Sequence, residues 1–420
     1  MRVVMVSAVF PPEPVTSAQT SADIAQGMAG LGQAVEVVTA FPSRPAGKLY
    51  PGYSRRLFQR ERSSAGYDVI RCFTLLSRKS GMLSRFGENI SFGLTSSLAV
   101  LRTSRPDVIY ANTWPLFATG LLCLAAKLRG VPLVISVQDL YPESLIIQGR
   151  IRPGGWRERW LRWIDRMIAQ NSHYIITISE RFAETYRHNR GVQVDRLHVI
   201  PNWTDGAPGV SDEASLQIRA ECGLAPDAFL IVYGGSIGAA AGVEGVIDAF
   251  RFLPNAPPVF LLVAGSGPSL PTCQTLVRQM ADTRVVFYTP WATDKTAAVY
   301  GAANVLVLPT RGQQSLASMP SKFISYMLAG RPIIAQAMPD SDLARTIEEA
   351  GCGWVVPPDQ PEELARTILE VMSVPYDELR RRGTAGRDYA LGRFTRSACL
   401  PRIIQVLDQA AKTHIPAPML

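Results

Sequence analysis

The feature that most constrains this fold is an alternation that runs along the chain twice. Short runs rich in β-branched and aromatic residues lie at Val3–Val9, Val35–Thr39, Asp68–Phe73, Val108–Tyr110, Leu133–Val137, Tyr174–Ile178 and His198–Ile200. Between most of them sit amphipathic stretches such as Ser17–Leu31, Leu116–Arg129 and Glu180–Asn189. After Pro201 a second series begins: Phe229–Tyr233, Phe260–Ala264, Val285–Tyr288, Val305–Leu308, Ile333–Gln336 and Trp354–Val356, again separated by helical stretches. Alternation of this kind predicts a mostly parallel sheet covered by helices on both faces. The chain is therefore read as α/β, with two Rossmann-like domains in tandem whose strand ends face each other across a ligand-binding cleft. A length of 420 residues accommodates two domains of about 200 residues each. The polar Asn202–Val210 stretch is the natural linker, which divides the chain into 1–203, 204–390 and a helical segment 391–420. The periodic stretch Tyr376–Lys412 carries no further strand and is expected to cover one domain or cross the cleft.

Composition narrows the class. Hydrophobic residues make up 47% and charged residues 19%, a globular balance with no apolar run of the roughly 18 to 20 residues that span a bilayer. The apolar opening MRVVMVSAVF runs into Pro11-Pro12 without a basic leader, so it reads as a buried strand rather than a signal peptide. A cytoplasmic protein is expected. Six scattered cysteines, with no Cys-x-x-Cys pair, read as buried thiols. The net charge of +8 is uneven: residues 1–205 hold 25 Lys/Arg against 15 Asp/Glu, and residues 206–420 hold 18 against 20. The basic half points to a phosphate-bearing substrate or an anionic membrane surface. Nucleic acid is disfavoured, because no recognised binding module accompanies the charge.

Candidate chemistry collects at strand ends. Phe10-Pro11-Pro12-Glu13-Pro14 follows the first strand and leads through Thr16 and Ser17 into a helix, whose free N–H groups and dipole favour phosphate. The stretch is not Gly-x-Gly-x-x-Gly, so a dinucleotide fingerprint is absent there. Gly234-Gly235-Ser236-Ile237-Gly238 and Gly265-Ser266-Gly267-Pro268 follow consecutive strands of the second half and read as nucleotide or phosphate contacts. The sharpest local signal is Ser318-Met319-Pro320-Ser321-Lys322-Phe323. Ser318 or Ser321 would cap a helix, and Lys322 in the first turn opposes the helix dipole, which hints at an external phosphate. Gln138 and Asp139, in Gln138-Asp139-Leu140-Tyr141-Pro142-Glu143, lie at a strand's C-terminal edge, with a site residue and a turn cap as the two readings of Asp139. Asp340-Ser341-Asp342 is read as a cap rather than a metal motif, and four scattered histidines form no cluster. Hydrolase and P-loop motifs are missing.

Trp156, Trp160, Trp163, Ile164 and Met167 share one face of a predicted helix, with Arg157, Arg159, Arg162 and Arg166 elsewhere on it. The favoured reading turns the tryptophans to the core; the alternative lays them on a membrane surface. Arg55, Arg56, Arg60, Arg62, Arg78, Lys79 and Arg85 are read as basic loops of the same domain.

Together these stretches resemble, over nearly the full length, the retaining GT-B glycosyltransferases of family four. Further matching pieces are Arg105-Pro106-Asp107-Val108-Ile109-Tyr110, Ile178-Ser179-Glu180, Val199-Ile200-Pro201-Asn202-Trp203-Thr204-Asp205, Ala303–Pro309 and Gly330-Arg331-Pro332. The likeness is strongest to the branch that builds O-antigen, colanic acid and other surface polysaccharides, including L-fucosamine transferase-like enzymes. It implies an N-terminal acceptor domain, a C-terminal nucleotide-sugar domain, and retention without cofactor or metal, the leaving diphosphate being stabilised by basic side chains and a helix N-terminus. Departures are specific. Ser236 and Ala241 stand where relatives have Arg and Lys, Ala317 and Ser325 where they have two glutamates, and Gln138 where they often have His. The burden of diphosphate charge then falls on Lys322, with Arg311 or Lys295.

The reading that follows is transfer of a sugar, UDP-linked and N-acetylated, to a polyprenyl-diphosphate-linked saccharide at the inner face of the cytoplasmic membrane. Asp139 and Gln138 orient the reacting groups, and Ser17 approaches the donor from the first domain. Gly235, Ser236, Gly265, Ser266, Gly267, Arg311, Pro320, Ser321 and Lys322 hold the donor. Two other readings fit the architecture, a nucleotide-sugar 2-epimerase and a non-catalytic GT-B subunit.

Overall fold

The computed structural model describes residues 1–44, 47–76, 82–112, 115–204, 211–256, 258–291, 293–317 and 319–413. The chain divides into two compact units, 1–203 with 396–420, and 204–395.

The first unit is built on an eight-stranded sheet: β1 (Arg2–Ser7), β2 (Ala34–Ala40), β3 (Phe58–Arg62), β4 (Asp68–Cys72), β5 (Val108–Ala111), β6 (Leu133–Val137), β7 (Tyr174–Thr177) and β8 (Leu197–Val199). Their order is β3-β4-β2-β1-β5-β6-β7-β8, and every pairing is parallel except β3 with β4. Because β1 lies between β2 and β5, the connections diverge there and leave a crevice at the strands' C-terminal ends. β5 and β6 are buried at every position, as strands covered on both faces must be.

Two features of this unit differ from the expectation. Arg85 lies in the Met82–Arg102 helix rather than in a basic loop, paired with Glu88 at 3.2 Å, and Phe58–Arg62 is an edge strand rather than a loop, its arginines neutralised: Arg60 pairs with Glu36 at 2.8 Å and Asp68 at 2.9 Å, and Arg62 pairs with Asp68 at 2.8 Å. Its sequence, Phe-Gln-Arg-Glu-Arg, hides the strand because an edge keeps one side in water and favours charge. The second is the Trp156–Asn171 helix. It buries Glu158, Leu161, Asp165, Ile168 and Ala169 and turns its tryptophans outward, with Trp156 67% and Trp163 59% exposed. The expectation of a core-facing tryptophan stripe is thus overturned. Glu158 and Asp165 can be buried because Arg162 and Arg190 pair with them. Arg78, Lys79, Ser318 and His414 lie outside the described residues.

The Arg396–Thr413 helix belongs to the first unit, although it follows the whole second unit in sequence. Cys399, Leu400, Ile403, Val406, Leu407 and Ala410 pack in one cluster with Val3 and Met5 of β1 and with Ile24, Ala25 and Met28. The break falls at 395/396, and the second unit's last helix runs Tyr376–Arg393.

The second unit carries a six-stranded, wholly parallel sheet: β9 (Phe229–Gly234), β10 (Val259–Ala264), β11 (Val285–Tyr288), β12 (Val305–Leu308), β13 (Ile333–Gln336) and β14 (Gly353–Val356). The order β11-β10-β9-β12-β13-β14 places its own crevice at the ends of β9 and β12. None of the six cysteines is disulfide-bonded; five are buried and Cys222 is half-buried.

Candidate active site

In the second unit the glycine turns close around one lysine. The chain leaves β9 and β10 in turns that are stitched together: Gly235 N–H donates to the Ala264 carbonyl at 2.9 Å, and Ile237 N–H donates to the Ser266 carbonyl at 2.9 Å. A Cβ at Gly265, where φ is +148°, would stand 1.9 Å from the Gly235 carbonyl oxygen, so only glycine fits. A Cβ at Gly235 would stand 2.3 Å from Cε of Lys322, so this glycine makes room for the lysine stem.

Lys322 is the second residue of the Ser321–Leu328 helix. Its Nζ donates to Tyr233 Oη at 2.5 Å and to the Ser236 carbonyl at 3.3 Å, and lies 4.6 Å from the centroid of the Tyr233 ring. Among the described residues no carboxylate pairs with it. Burial pulls its pKa down to about 8. An ammonium half out of water, with only neutral oxygens around it, is a place where an anion gains most.

The turn is braced from beneath by tyrosines that sequence reasoning missed. Tyr326 Oη accepts from Gly234 N–H at 2.8 Å and lies 3.1 Å from the Gly234 carbonyl, and Tyr300 stacks edge-on against it at 4.9 Å between centroids. Tyr326 sits four residues after Lys322, so one helix turn presents the cation and the brace on the same side. Ser236 and Ser266 are exposed and enter the network through their carbonyls. Pro320 is the residue before the helix, and Ser321 is its first helical residue, so Ser321 does not cap it; Ser318, the other candidate cap, lies outside the described residues. Arg311 is tied to Glu244 at 2.7 Å, and Lys295 to Glu221 at 3.0 Å and Tyr288 at 2.8 Å. Both cations are therefore engaged elsewhere, and among the described residues Lys322 alone of the three lacks a carboxylate partner. In Asp340-Ser341-Asp342, Ser341 caps the following helix by accepting from Ala344 N–H at 3.2 Å. Among the described residues no group of three or more His, Cys, Asp and Glu is placed to hold a metal ion.

In the first unit Gln138 anchors a polar chain at the ends of β1, β5 and β6. Its amide donates to Ser136 Oγ at 2.8 Å and accepts from Asn202 at 2.8 Å; Asn112 donates to Ser21 Oγ at 2.8 Å, and Ser21 meets Ser7 at 3.0 Å. Ser21 also donates to the Ser17 carbonyl at 2.9 Å, which links the half-buried Ser17 to the same chain. Asp139 sits beside it, half-buried and without a hydrogen-bond partner among the described residues, and burial lifts its pKa to about 6. It is therefore not a turn cap. Glu143 plays a different part, since it pairs with the fully buried Arg190 at 2.7 Å, which also holds Asp165 at 2.7 Å. That cluster pins the loop carrying Asp139. Glu13 likewise holds its loop, accepting from the N–H groups of Ser43 and Arg44 at 2.9 and 2.8 Å.

Two sheets of this topology, each with polar groups at its switch point, form the GT-B fold. Residues 16–203 match the glycosyl transferase 4-like domain, and residues 228–373 match the glycosyl transferases group 1 domain. The chain is thus a glycosyltransferase that joins these two domains in tandem. It is 25% identical over 398 residues to WcaI of Escherichia coli K12, named for colanic acid biosynthesis, with 93% of this chain and 95% of that protein covered. It is 26% identical over 310 residues to WbjE of Pseudomonas aeruginosa, named as a glycosyltransferase, with 72% and 76% covered. HepE of Anabaena, solved with UDP, shares the fold at a TM-score of 0.70 and 15% identity over 97% of this chain and 100% of that one.

Proposed function

We propose that the protein transfers a sugar from a UDP-linked donor to a polyprenyl-diphosphate-linked saccharide during surface polysaccharide synthesis. Transfer retains the anomeric configuration and needs no metal. The observation that carries this reading is Lys322: a half-buried ammonium, without a carboxylate partner among the described residues, over a turn that only glycine can form. A diphosphate supplies the missing negative charge, and preorganised donors of this kind stabilise a leaving diphosphate without reorganising during the reaction. The named role of WcaI supports surface polysaccharide, the UDP bound to HepE supports the base, and the family-four resemblance supports retention and metal independence.

In this reading Gly235, Ser236, Gly265, Ser266, Gly267, Pro320 and Ser321 shape the donor site, and Arg311 joins it on release from Glu244. Asp139 and Gln138 orient the acceptor or sugar hydroxyl, with Ser17 beside the polar chain. The N-acetyl group of the sugar and the place at the inner membrane face belong to the same proposal. The test is thermal stabilisation by UDP, GDP, dTDP and ADP in parallel. UDP should raise the melting temperature, Lys322→Ala should abolish that rise, and turnover should fall by about a hundredfold or more, as for loss of one oxyanion donor. Stabilisation by UDP that survives Lys322→Ala would remove the lysine from the donor site.

A further inference from the structure

We infer that the outer face of three helices of the first unit docks on an anionic lipid bilayer surface. The helices are Met82–Arg102, Leu116–Arg129 and Trp156–Asn171. Their inner sides share one hydrophobic core, through Phe92 and Val100, Leu116 and Leu122, and Leu161 and Ile168. Phe86 of the first meets Phe117 of the second at 4.9 Å between ring centroids, and Phe117 meets Trp160 of the third at 5.5 Å. They thus form a contiguous layer on one side of the sheet.

Each helix turns an apolar stripe to solvent. The first exposes Leu94, Leu98 and Leu101; the second exposes Leu124 and Leu128, the latter at 70%. The third exposes Trp156, Trp160, Trp163 and Met167. Within each helix these residues recur at three- and four-residue spacing, so each set is one continuous stripe rather than a scatter.

The charge around the stripes is of one sign. The three helices hold eight Lys/Arg and three Asp/Glu. All three acids, Glu88, Glu158 and Asp165, are paired with arginines. Lys127, Arg157, Arg159 and Arg166 are exposed and have no ion-pair partner among the described residues. Leucine and tryptophan stripes interleaved with free cations match a headgroup layer: tryptophan sits at the interface, and the cations meet anionic lipid. Among the described residues no helix is long and apolar enough to cross a membrane, so contact of this kind is interfacial.

The face adjoins the candidate acceptor edge. The Leu116–Arg129 helix begins four residues after Asn112, which follows β5 at that edge. Docking would hold that edge at the headgroup level, where a lipid-linked diphosphate emerges; this last step rests on the proposed acceptor, whereas docking itself does not.

The experiment is co-sedimentation of the full chain with vesicles of phosphatidylcholine alone and of phosphatidylcholine with phosphatidylglycerol at three to one. The wild type should bind the anionic vesicles and be released by high salt. The triple variant Trp156→Ser, Trp163→Ser, Leu128→Ser should partition at least about tenfold less. The variant Arg157→Gln, Arg159→Gln, Arg166→Gln should lose about fivefold per charge, and it keeps the test open if the serine variant misfolds by circular dichroism. Lys322→Ala should bind vesicles like the wild type. Absent binding to anionic vesicles, or a serine variant that is folded and binds undiminished, overturns the inference. A wild-type dimer in sedimentation equilibrium that the same serines disperse, with no lipid binding, overturns it too and assigns the face to a second copy. If vesicle binding holds but no acceptor is ever glycosylated, the proposed function fails and the docking face stands.

Discussion

At the scale of single residues, Lys322 and Asp139 are displaced in opposite directions by the same cause, loss of water. Asp139 titrates near 6, so it is neutral below and ionised above; Lys322 titrates near 8, so it is charged below and neutral above. If an ionised Asp139 and a charged Lys322 are both required, kcat/KM should be bell-shaped, with limbs near those two values. Asp139→Asn should erase the acidic limb, and Lys322→Arg should carry the basic limb out of range. A flat profile in the wild type would separate these groups from turnover. A folded-state pKa below the ordinary lysine value also means that the charged form is penalised by folding at neutral pH, and that stability is regained as pH rises past 8. Lys322→Met, which keeps the stem over Gly235, should therefore raise the melting temperature of the ligand-free protein while abolishing its response to UDP. The same two residues were legible in the sequence as Lys in a helix's first turn and Asp at a strand's edge. That no described carboxylate pairs with Lys322 and no described group hydrogen-bonds Asp139 was not legible, because partners come from distant elements.

At the scale of elements, the turns after β9 and β10 hold their form through groups brought from elsewhere. Tyr326→Phe leaves the buried Gly234 N–H without its acceptor and should cost about 1–3 kcal/mol in denaturant unfolding. The loop bearing Asp139 is pinned by Arg190, which reaches it from the Glu180–Arg190 helix. Arg190→Ala leaves the buried Asp165 without its cation and Glu143 with only Arg162 at 3.9 Å, and should cost about 3–5 kcal/mol, seen in the same measurement. These elements explain the errors of sequence reading as well. The Trp156–Asn171 helix offers two candidate inner faces, and apolar periodicity alone selects the tryptophans. Arg190 reverses the choice by making Asp165 cheap to bury. The β3 strand was hidden for a related reason, since its charges are balanced by Glu36 and Asp68, which belong to the neighbouring strands.

At the scale of the whole molecule, the last helix completes a unit that the chain left at Trp203. Trp203 Nε1 donates to Asp23 at 3.1 Å, and Arg396 lies 3.8 Å from the same carboxylate, so departure and return are tied to one residue. Six side chains of the returning helix, Cys399, Leu400, Ile403, Val406, Leu407 and Ala410, are buried in the first unit's core. At about 1.5–3 kcal/mol for each large apolar side chain, their sum rivals the whole stability of a domain. A chain ended at Thr395 should accordingly lose the cooperative unfolding of its first unit and aggregate, as read by calorimetry and light scattering. A first unit that melts unchanged without the helix would show that the contact is dispensable.

The double βα alternation, the two mostly parallel sheets and the positions of the glycine turns were determined by sequence alone, because they rest on local periodicity and on backbone geometry that few residues tolerate. Tertiary structure alone decided three other things: that no described carboxylate pairs with Lys322 while Arg311 and Lys295 are claimed, that Trp156, Trp160 and Trp163 face solvent, and that the last helix returns to the first unit. Each depends on which distant charge or surface a residue meets. Pairing and burial are properties of neighbours in space, and the order of residues along a chain does not contain them.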